Sequence, residues 1–210
     1  LRELEILDSL EEKTYDDLTF LAAQICQTPI ALVSLIDSDR QWFKSRQGLD
    51  AAETSRDLAF CAHAILQSDP LIVEDVTRDP RFADNPLVLS DPNIRFYAGA
   101  PLITHDGFAL GTLCAIDIKP CTFSPTQVHA LTTLARHVVA LLELRLKLRE
   151  TEDLNRELAR AQRELIAVQA EEALKRPRRE KLKKEKPKEE KATRAAKGGA
   201  HGGFGQKLAP

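Results

Sequence analysis

Apolar positions along this chain recur with one period at the start, another through the middle and a third near the end. Between Thr14 and Cys26 they fall three or four residues apart, and Leu18, Leu21, Ala22 and Ile25 form the stripe of an amphipathic helix. Thr14 can cap that helix, while Asp16 and Asp17 suit its positive end. Thr28-Pro29 closes it. Ahead of it, residues 1–11 read as a short amphipathic helix or lead-in, with Leu1, Leu4, Ile6 and Leu7 near one face. The pattern then shortens to strand-like runs. Residues 30–37 form one strand and 41–46 its antiparallel partner, joined by the turn Ser38-Asp39-Arg40. Gly48 and the polar run to Arg56 form a loop. Residues 57–67 are helix-prone, with Leu58, Cys61, Ala62 and Ile65 on one side, until Asp69-Pro70 breaks them. Residues 71–76 are a short strand, and 77–93, carrying Pro80, Pro86 and Pro92, a loop with helical turns.

The clearest local signal lies at 94–117. Two apolar runs, 96–103 and 108–116, flank His105-Asp106-Gly107, and an Asp-Gly pair between strand-like runs predicts a hairpin. Gly99, Pro101 and Gly111 lie inside these runs. Glycine in a strand marks a bulge or a close approach by another backbone or a ligand. The hairpin is thus a plausible pocket floor. This order of elements predicts an α+β fold, a central antiparallel sheet of five or six strands flanked by helices. From Ser124-Pro125, an N-cap followed by proline at the first helical position, the three-four rhythm returns. Leu131, Leu134, Val138, Leu141, Leu144 and Leu148 carry it, and Leu154, Leu158, Ala161, Leu165 and Val168 extend it with coiled-coil spacing. Such a stripe predicts pairing with a second copy through the N- and C-terminal helices. A helix packed only on its own domain is the simpler alternative. Pro177 is expected to end the helix.

Composition divides the chain further. Residues 175–210 hold 13 Lys/Arg against 4 Asp/Glu, whereas residues 1–174 hold 17 against 28. The folded part is therefore acidic, which argues against nucleic acid as its partner. The basic tail has too few apolar residues to offset its ordering entropy, predicting disorder over 175–210 and at most contact with nucleic acid or acidic lipid. No run is long enough to span a bilayer and no signal peptide opens the chain, so a cytoplasmic protein with no membrane partner is expected. The chain has no methionine. It is expected to be a processed piece or a domain cut from a longer protein. Cys26, Cys61, Cys114 and Cys121 show neither CxxC nor zinc spacing, so free buried thiols and no metal are expected.

Several ordered stretches carry a family resemblance: FCAHAIL at 60–66, VEDVTRDPRFADNPLV at 73–88, RFYAGAPL at 95–102 and LGTLCAID at 110–117. Over about residues 4–144 the chain resembles the GAF family of small-ligand sensory domains. It is most similar to the subgroup found upstream of bacterial histidine kinases and diguanylate cyclases. The resemblance implies a GAF/PAS-like sensory domain at 1–146, a signalling helix at 147–174 that speaks to an absent kinase or cyclase output domain, and an unidentified small-molecule effector. It implies no catalysis by this chain.

Candidate pocket residues are Phe60, Cys61, Arg95, Phe96, Tyr97, Gly99 and Cys114, with Trp42 and Phe82 as further aromatic walls. Phe96 and Tyr97 alternate along a strand, so only one can face a cavity. Core packing is the plain reading for all these aromatics. Cyclic-nucleotide binding is the role of other GAF domains, and phosphate recognition calls for an arginine or a helix N-terminus inside the pocket; Arg56, Arg78, Arg81 and Arg95 are the candidate arginines, Arg95 foremost, with solvated loop side chains as the alternative. The cyclic-nucleotide signature is absent. Bilin-binding members attach their chromophore to a cysteine beside a histidine; no Cys-His pair occurs here, so no cofactor is expected. An enzymatic subgroup reduces free methionine-R-sulfoxide through cysteines at the same pocket. Cys61 stands near one such position, but 93–97 lacks the matching cysteine. A thiol reductase and a ligand-free dimerisation module are therefore the alternatives to a sensor. No phosphate loop, dinucleotide fingerprint, histidine-kinase phosphoacceptor or cyclase signature is present.

Overall fold

The computed structural model describes residue 1 and residues 4–198, with side chains as far as 177. The described residues divide into two units, the first ending at Glu150 and the second starting at Thr151. The first is built on a six-stranded antiparallel sheet: β1 (Ile30–Ile36), β2 (Arg40–Gln47), β3 (Glu53–Ser55), β4 (Leu71–Val73), β5 (Phe96–Ile103) and β6 (Ala109–Asp117), in the order β3-β2-β1-β6-β5-β4. β1 is buried along its whole length. It lies inside the sheet with both faces covered, which is why its sequence is nearly all apolar instead of alternating. β3 falls within the stretch expected to be loop; three residues are too few for an alternating pattern to register.

One face carries α1 (Lys13–Cys26) and the first turns of α4 (Pro125–Gly198). Ala31, Val33, Phe96, Ala98 and Leu113 meet Leu131, Val138 and Leu142 there. The predicted cap of α4 forms a capping box: the Gln127 backbone N–H donates to Ser124 Oγ at 3.3 Å, and Gln127 Oε1 accepts from the Ser124 N–H at 3.0 Å. Gln127 Nε2 also donates to the Cys26 carbonyl, tying α4 to the end of α1. Gln27, in the left-handed conformation, stops α1, and its N–H returns to the Ala23 carbonyl.

Four expectations need correction. The buried face of α1 is Tyr15, Thr19, Ala22, Ala23 and Cys26, whereas Leu21 and Ile25 of the expected stripe are exposed along with Phe20. Small side chains let the helix lie close on the sheet, and Thr19 Oγ1 donates to Ser45 Oγ across the contact. The larger residues are thereby turned outward. Thr14 does not cap α1, which starts at Lys13 from Glu12. The described part of the lead-in has turns, not helix, although Leu4 and Ile6 are buried. Finally, the helix runs past Pro177 to Gly198; the remainder of the tail, 199–210, lies outside the described residues. In the second unit, Leu154, Leu158, Leu165 and Val168 are each more than half exposed.

Glu12, at the start of α1, joins three elements. Its Oε1 accepts from Lys44 Nζ of β2 and from an Arg145 guanidinium N–H of α4, both at 2.7 Å. Burial pushes the Glu12 carboxyl up, but the hydrogen bonds and charges of Lys44 and Arg145 more than offset this and hold it below its ordinary value. A carboxyl held low in the folded state adds stability that is complete above its unfolded value and disappears as pH falls through the folded one. Glu12→Gln should therefore flatten the acid limb: between about pH 5 and about pH 3 the wild-type melting temperature falls more steeply than the variant's, read by circular dichroism at matched ionic strength.

Candidate functional site

The other sheet face is roofed by α2 (Phe60–Ala64), by the loop around Leu49 and by the segment containing α3 (Pro86–Leu89). The single helix expected over 57–67 is divided: a 3-10 turn at Arg56–Leu58 precedes α2, and Ala59 between them is extended. Asn85 holds the roof together. Its side chain caps α3 by accepting from the Leu87 N–H and donates to the Leu58 carbonyl at 3.0 Å. Phe60 stacks between Phe82 (ring centroids 4.3 Å apart) and Tyr97 (5.3 Å) and fills one end of the space. The other end is a cavity of about 190 Å³. Ile30, Leu32, Phe43, Ile94 and Ile116 make it largely apolar, Gln41, Thr54, Cys61 and Tyr97 add polar atoms to its lining, and Ala51 and Asp91 are its exposed lining residues.

The alternation of β5 decides which neighbour faces this space. Tyr97 does, and Phe96 packs on the opposite face against Phe123 (5.0 Å). Trp42 is likewise on the far side. Arg95 does not enter either: its guanidinium donates to the carbonyls of Val88 and Ile94, clamping the roof segment to β5. The other arginines considered for phosphate are also engaged elsewhere. Arg56 donates to the Asp37 carbonyl, Arg78 pairs with Asp75, and Arg81 binds Asp79 through two nitrogens. No Lys or Arg lines the cavity, and its one charged neighbour is Asp91. The lining therefore offers no cationic side chain to a phosphate.

Gly99 has a structural cause that the sequence suggests only in outline. A Cβ there would stand 2.1 Å from the Tyr97 hydroxyl, so its absence lets the ring fold back along its own strand. From that position the phenol donates to Cys61 Sγ at 3.3 Å. Cys61 and Cys114, 53 residues apart, bring their sulfurs within 3.9 Å. Both thiols are buried. Ser34 Oγ and Thr112 Oγ1, paired across β1 and β6, are buried without a normal hydrogen-bond partner, yet lie near enough to Cys61 to favour its charged form. Burial raises the Cys61 thiol, but donors led by Cys114, with Ser34, Thr112 and Tyr97, bring it below its ordinary value. The proximity of Cys61 and burial drive Cys114 the opposite way, and burial raises Tyr97. His63, two residues from Cys61, is exposed and edge-on to Phe82, so it is no base for the thiol.

One polar atom was missed by the sequence reading. Gln41 on β2 lines the cavity, its Nε2 donates to Thr54 Oγ1, and its Oε1 is buried with no partner. Strand parity with Phe43 could have placed it on the pocket face; nothing in the sequence marks its acceptor as unpaired. Among the described residues there is no cluster of His, Cys, Asp and Glu suited to a metal, and no helix long and apolar enough to cross a membrane.

An antiparallel sheet with helices on one face and a roofed, mostly apolar cavity on the other defines the class of this α+β domain. The chain belongs to the GAF domain family, whose profile matches residues 11–142. It is 45% identical over 139 residues to the cyclic di-GMP phosphodiesterase PA2567 of Pseudomonas aeruginosa, a match covering 66% of this chain and 24% of that protein's length. Among solved structures it is similar to the GAF domain of an Acinetobacter phosphoenolpyruvate-protein phosphotransferase, with TM-score 0.54 and 17% identity over 68% of this chain and 89% of that one. It is also similar to the type II free methionine-R-sulfoxide reductase of Thermoplasma acidophilum, with TM-score 0.52 and 15% identity over 62% of this chain and 90% of that one. At such identities the two structural likenesses speak for the fold alone.

Proposed function

We propose that this chain is the regulatory, signal-transmitting GAF domain of a bacterial signalling protein. A small uncharged molecule occupies the cavity and changes how the α4 helices of two copies pair, and that change controls an output domain in a longer parent protein. The observation that carries the ligand reading is Gln41 Oε1, a buried acceptor without a partner, on a residue that lines a mostly apolar cavity. A buried unpaired acceptor costs about 1–3 kcal/mol, which a ligand N–H or O–H offsets. The volume suits a molecule slightly larger than benzene, which fits a cavity of about 150 Å³. The exposed three-four stripe from Leu154 to Val168 supports pairing of two copies. Transmission requires that the ligand prefer one helix arrangement over the other. The name of the Pseudomonas aeruginosa relative favours a cyclic di-GMP phosphodiesterase as the output, since the chain spans only 24% of that protein.

Native mass spectrometry of the full chain purified from its host is the test. The wild type should carry a small neutral adduct. Ala51→Trp, at an exposed residue of the lining, should lose it while the circular dichroism spectrum stays unchanged. Gln41→Leu, which removes the waiting acceptor, should weaken retention about tenfold, the worth of one hydrogen bond. A monodisperse dimer with no adduct in any of the three overturns the sensor reading in favour of a ligand-free dimerisation module.

A further inference from the structure

We propose that Cys61 and Cys114 form a peroxide-responsive dithiol, Cys61 being the thiol that reacts with the oxidant and Cys114 the one that closes the disulfide. Three observations place them in these roles. Their sulfurs are already 3.9 Å apart, across a contact between α2 and β6. A disulfide needs about 2.05 Å, so the short helix and the strand must close by less than about 2 Å. Access differs between the two: Cys61 lines the cavity and Cys114 does not, lying behind it against the Leu32 carbonyl. A small hydroperoxide entering past Ala51 and Asp91 therefore meets Cys61 first. The surroundings of Cys61 are also unequal to those of an ordinary buried thiol. Tyr97 donates to its sulfur, and the Ser34 and Thr112 hydroxyls, buried without a normal hydrogen-bond partner, lie near enough to favour its charged form. Donors without another partner stabilise a sulfur anion where no cation is available, and the thiolate is the form that attacks.

In the first step the Cys61 thiolate attacks the terminal oxygen of the hydroperoxide. The O–O bond breaks, the leaving alkoxide or hydroxide takes up the proton that the Cys61 thiol released on ionising and departs as alcohol or water, and Cys61 becomes a sulfenic acid. In the second step the Cys114 sulfur attacks Cys61 Sγ, the S–O bond breaks, and hydroxide departs as water with the proton of the Cys114 thiol. Two thiols and one hydroperoxide give one disulfide, one alcohol or water from the peroxide, and one further water. The bond would staple the roof helix to the central hairpin beside the cavity. The cavity serves here only as the route to Cys61, so the reaction needs no ligand, and a ligand filling the cavity would slow it.

The experiment uses the full chain with Cys26→Ser and Cys121→Ser, so that only the pair remains. After hydrogen peroxide in native buffer, quenching and denaturation, the free thiols should fall from two to none and the intact mass by about 2 Da, both restored by dithiothreitol. Adding Cys114→Ser should stop the reaction at a sulfenic acid, trapped by dimedone at residue 61. Adding Cys61→Ser should leave Cys114 unreacted at the same dose. Two thiols still free after peroxide overturn the proposal, as does a disulfide found between chains or equal reactivity of Cys114 when Cys61 is absent. If either added variant fails to fold, the thiol count and mass of the parent still decide the matter. The thiol count is read on protein whose native mass shows no adduct, so that failure of the dithiol and failure of the ligand reading stay distinct.

Discussion

Replacing Gly111 with alanine is expected to destabilise the domain by about 3 kcal/mol, at the upper end of what overpacking in a close-packed interior costs. Gly111 lies in β6, opposite Leu35 of β1, in the middle of the sheet. A Cβ at this position would stand 1.9 Å from the Ser34 carbonyl oxygen and 2.9 Å from the Leu35 Cα. Both are backbone atoms of a strand held on its other edge by β2, so no side-chain rotation relieves the clash. The β1–β6 ladder must open locally, which leaves buried N–H and C=O groups unpaired, each at a further cost. For a domain of this size, about 3 kcal/mol lowers the melting temperature by roughly 10 °C. Thermal unfolding followed at 222 nm measures it. A shift below about 2 °C would mean that the close approach at Gly111 yields without effort. Gly99→Ala serves as the comparison, because there the obstacle is the Tyr97 phenol, a side chain.

That contrast also marks what could be read from the residues. Both glycines announce a close approach, but sequence cannot say whether the neighbour is a ligand, a carbonyl or the chain's own tyrosine. The hairpin, the apolar β1 and the cap at Ser124 were legible because each depends on residues adjacent in the chain. Parity along β5 was legible too, although not its sign: Tyr97, not Phe96, faces the cavity. The side of α1 that meets the sheet was not, because hydrophobicity favours Leu21 and Ile25 while close packing favours Ala22, Ala23 and Cys26. The pairing of Cys61 with Cys114 depends on strand order and on where α2 settles, neither of which local pattern reports. Arg95 illustrates the opposite error. It enters the hairpin as expected but spends its donors on backbone carbonyls of the roof.

Lys44→Ala is expected to be about as damaging, through a different cause. A lysine in β2 reads as a solvent-facing residue of a half-buried strand, yet its side chain is fully buried. Nζ spends all three donors, on Ser9 Oγ at 2.9 Å, the Leu10 carbonyl at 2.6 Å and Glu12 Oε1 at 2.7 Å. It also stands 5.2 Å from the centre of the Tyr15 ring. One ammonium therefore holds the lead-in and the start of α1 against the sheet. Removing a partner of a buried pair costs about 3–5 kcal/mol when the remaining charge is left alone. Here Glu12 retains Arg145 and some solvent, so the charge contribution is smaller and the loss of the four-carbon stem makes up the difference, for about 3 kcal/mol in all. Lys44→Met separates the two, because it restores the packed stem without the charge. Urea unfolding should place Lys44→Met between wild type and Lys44→Ala. Hydrogen exchange in Lys44→Met should rise at residues 9–16, which lose their anchor, and stay unchanged in β5 and β6. Uniform loss of protection across the sheet would instead mean that Lys44 supports the core as a whole and does not act as a local clamp.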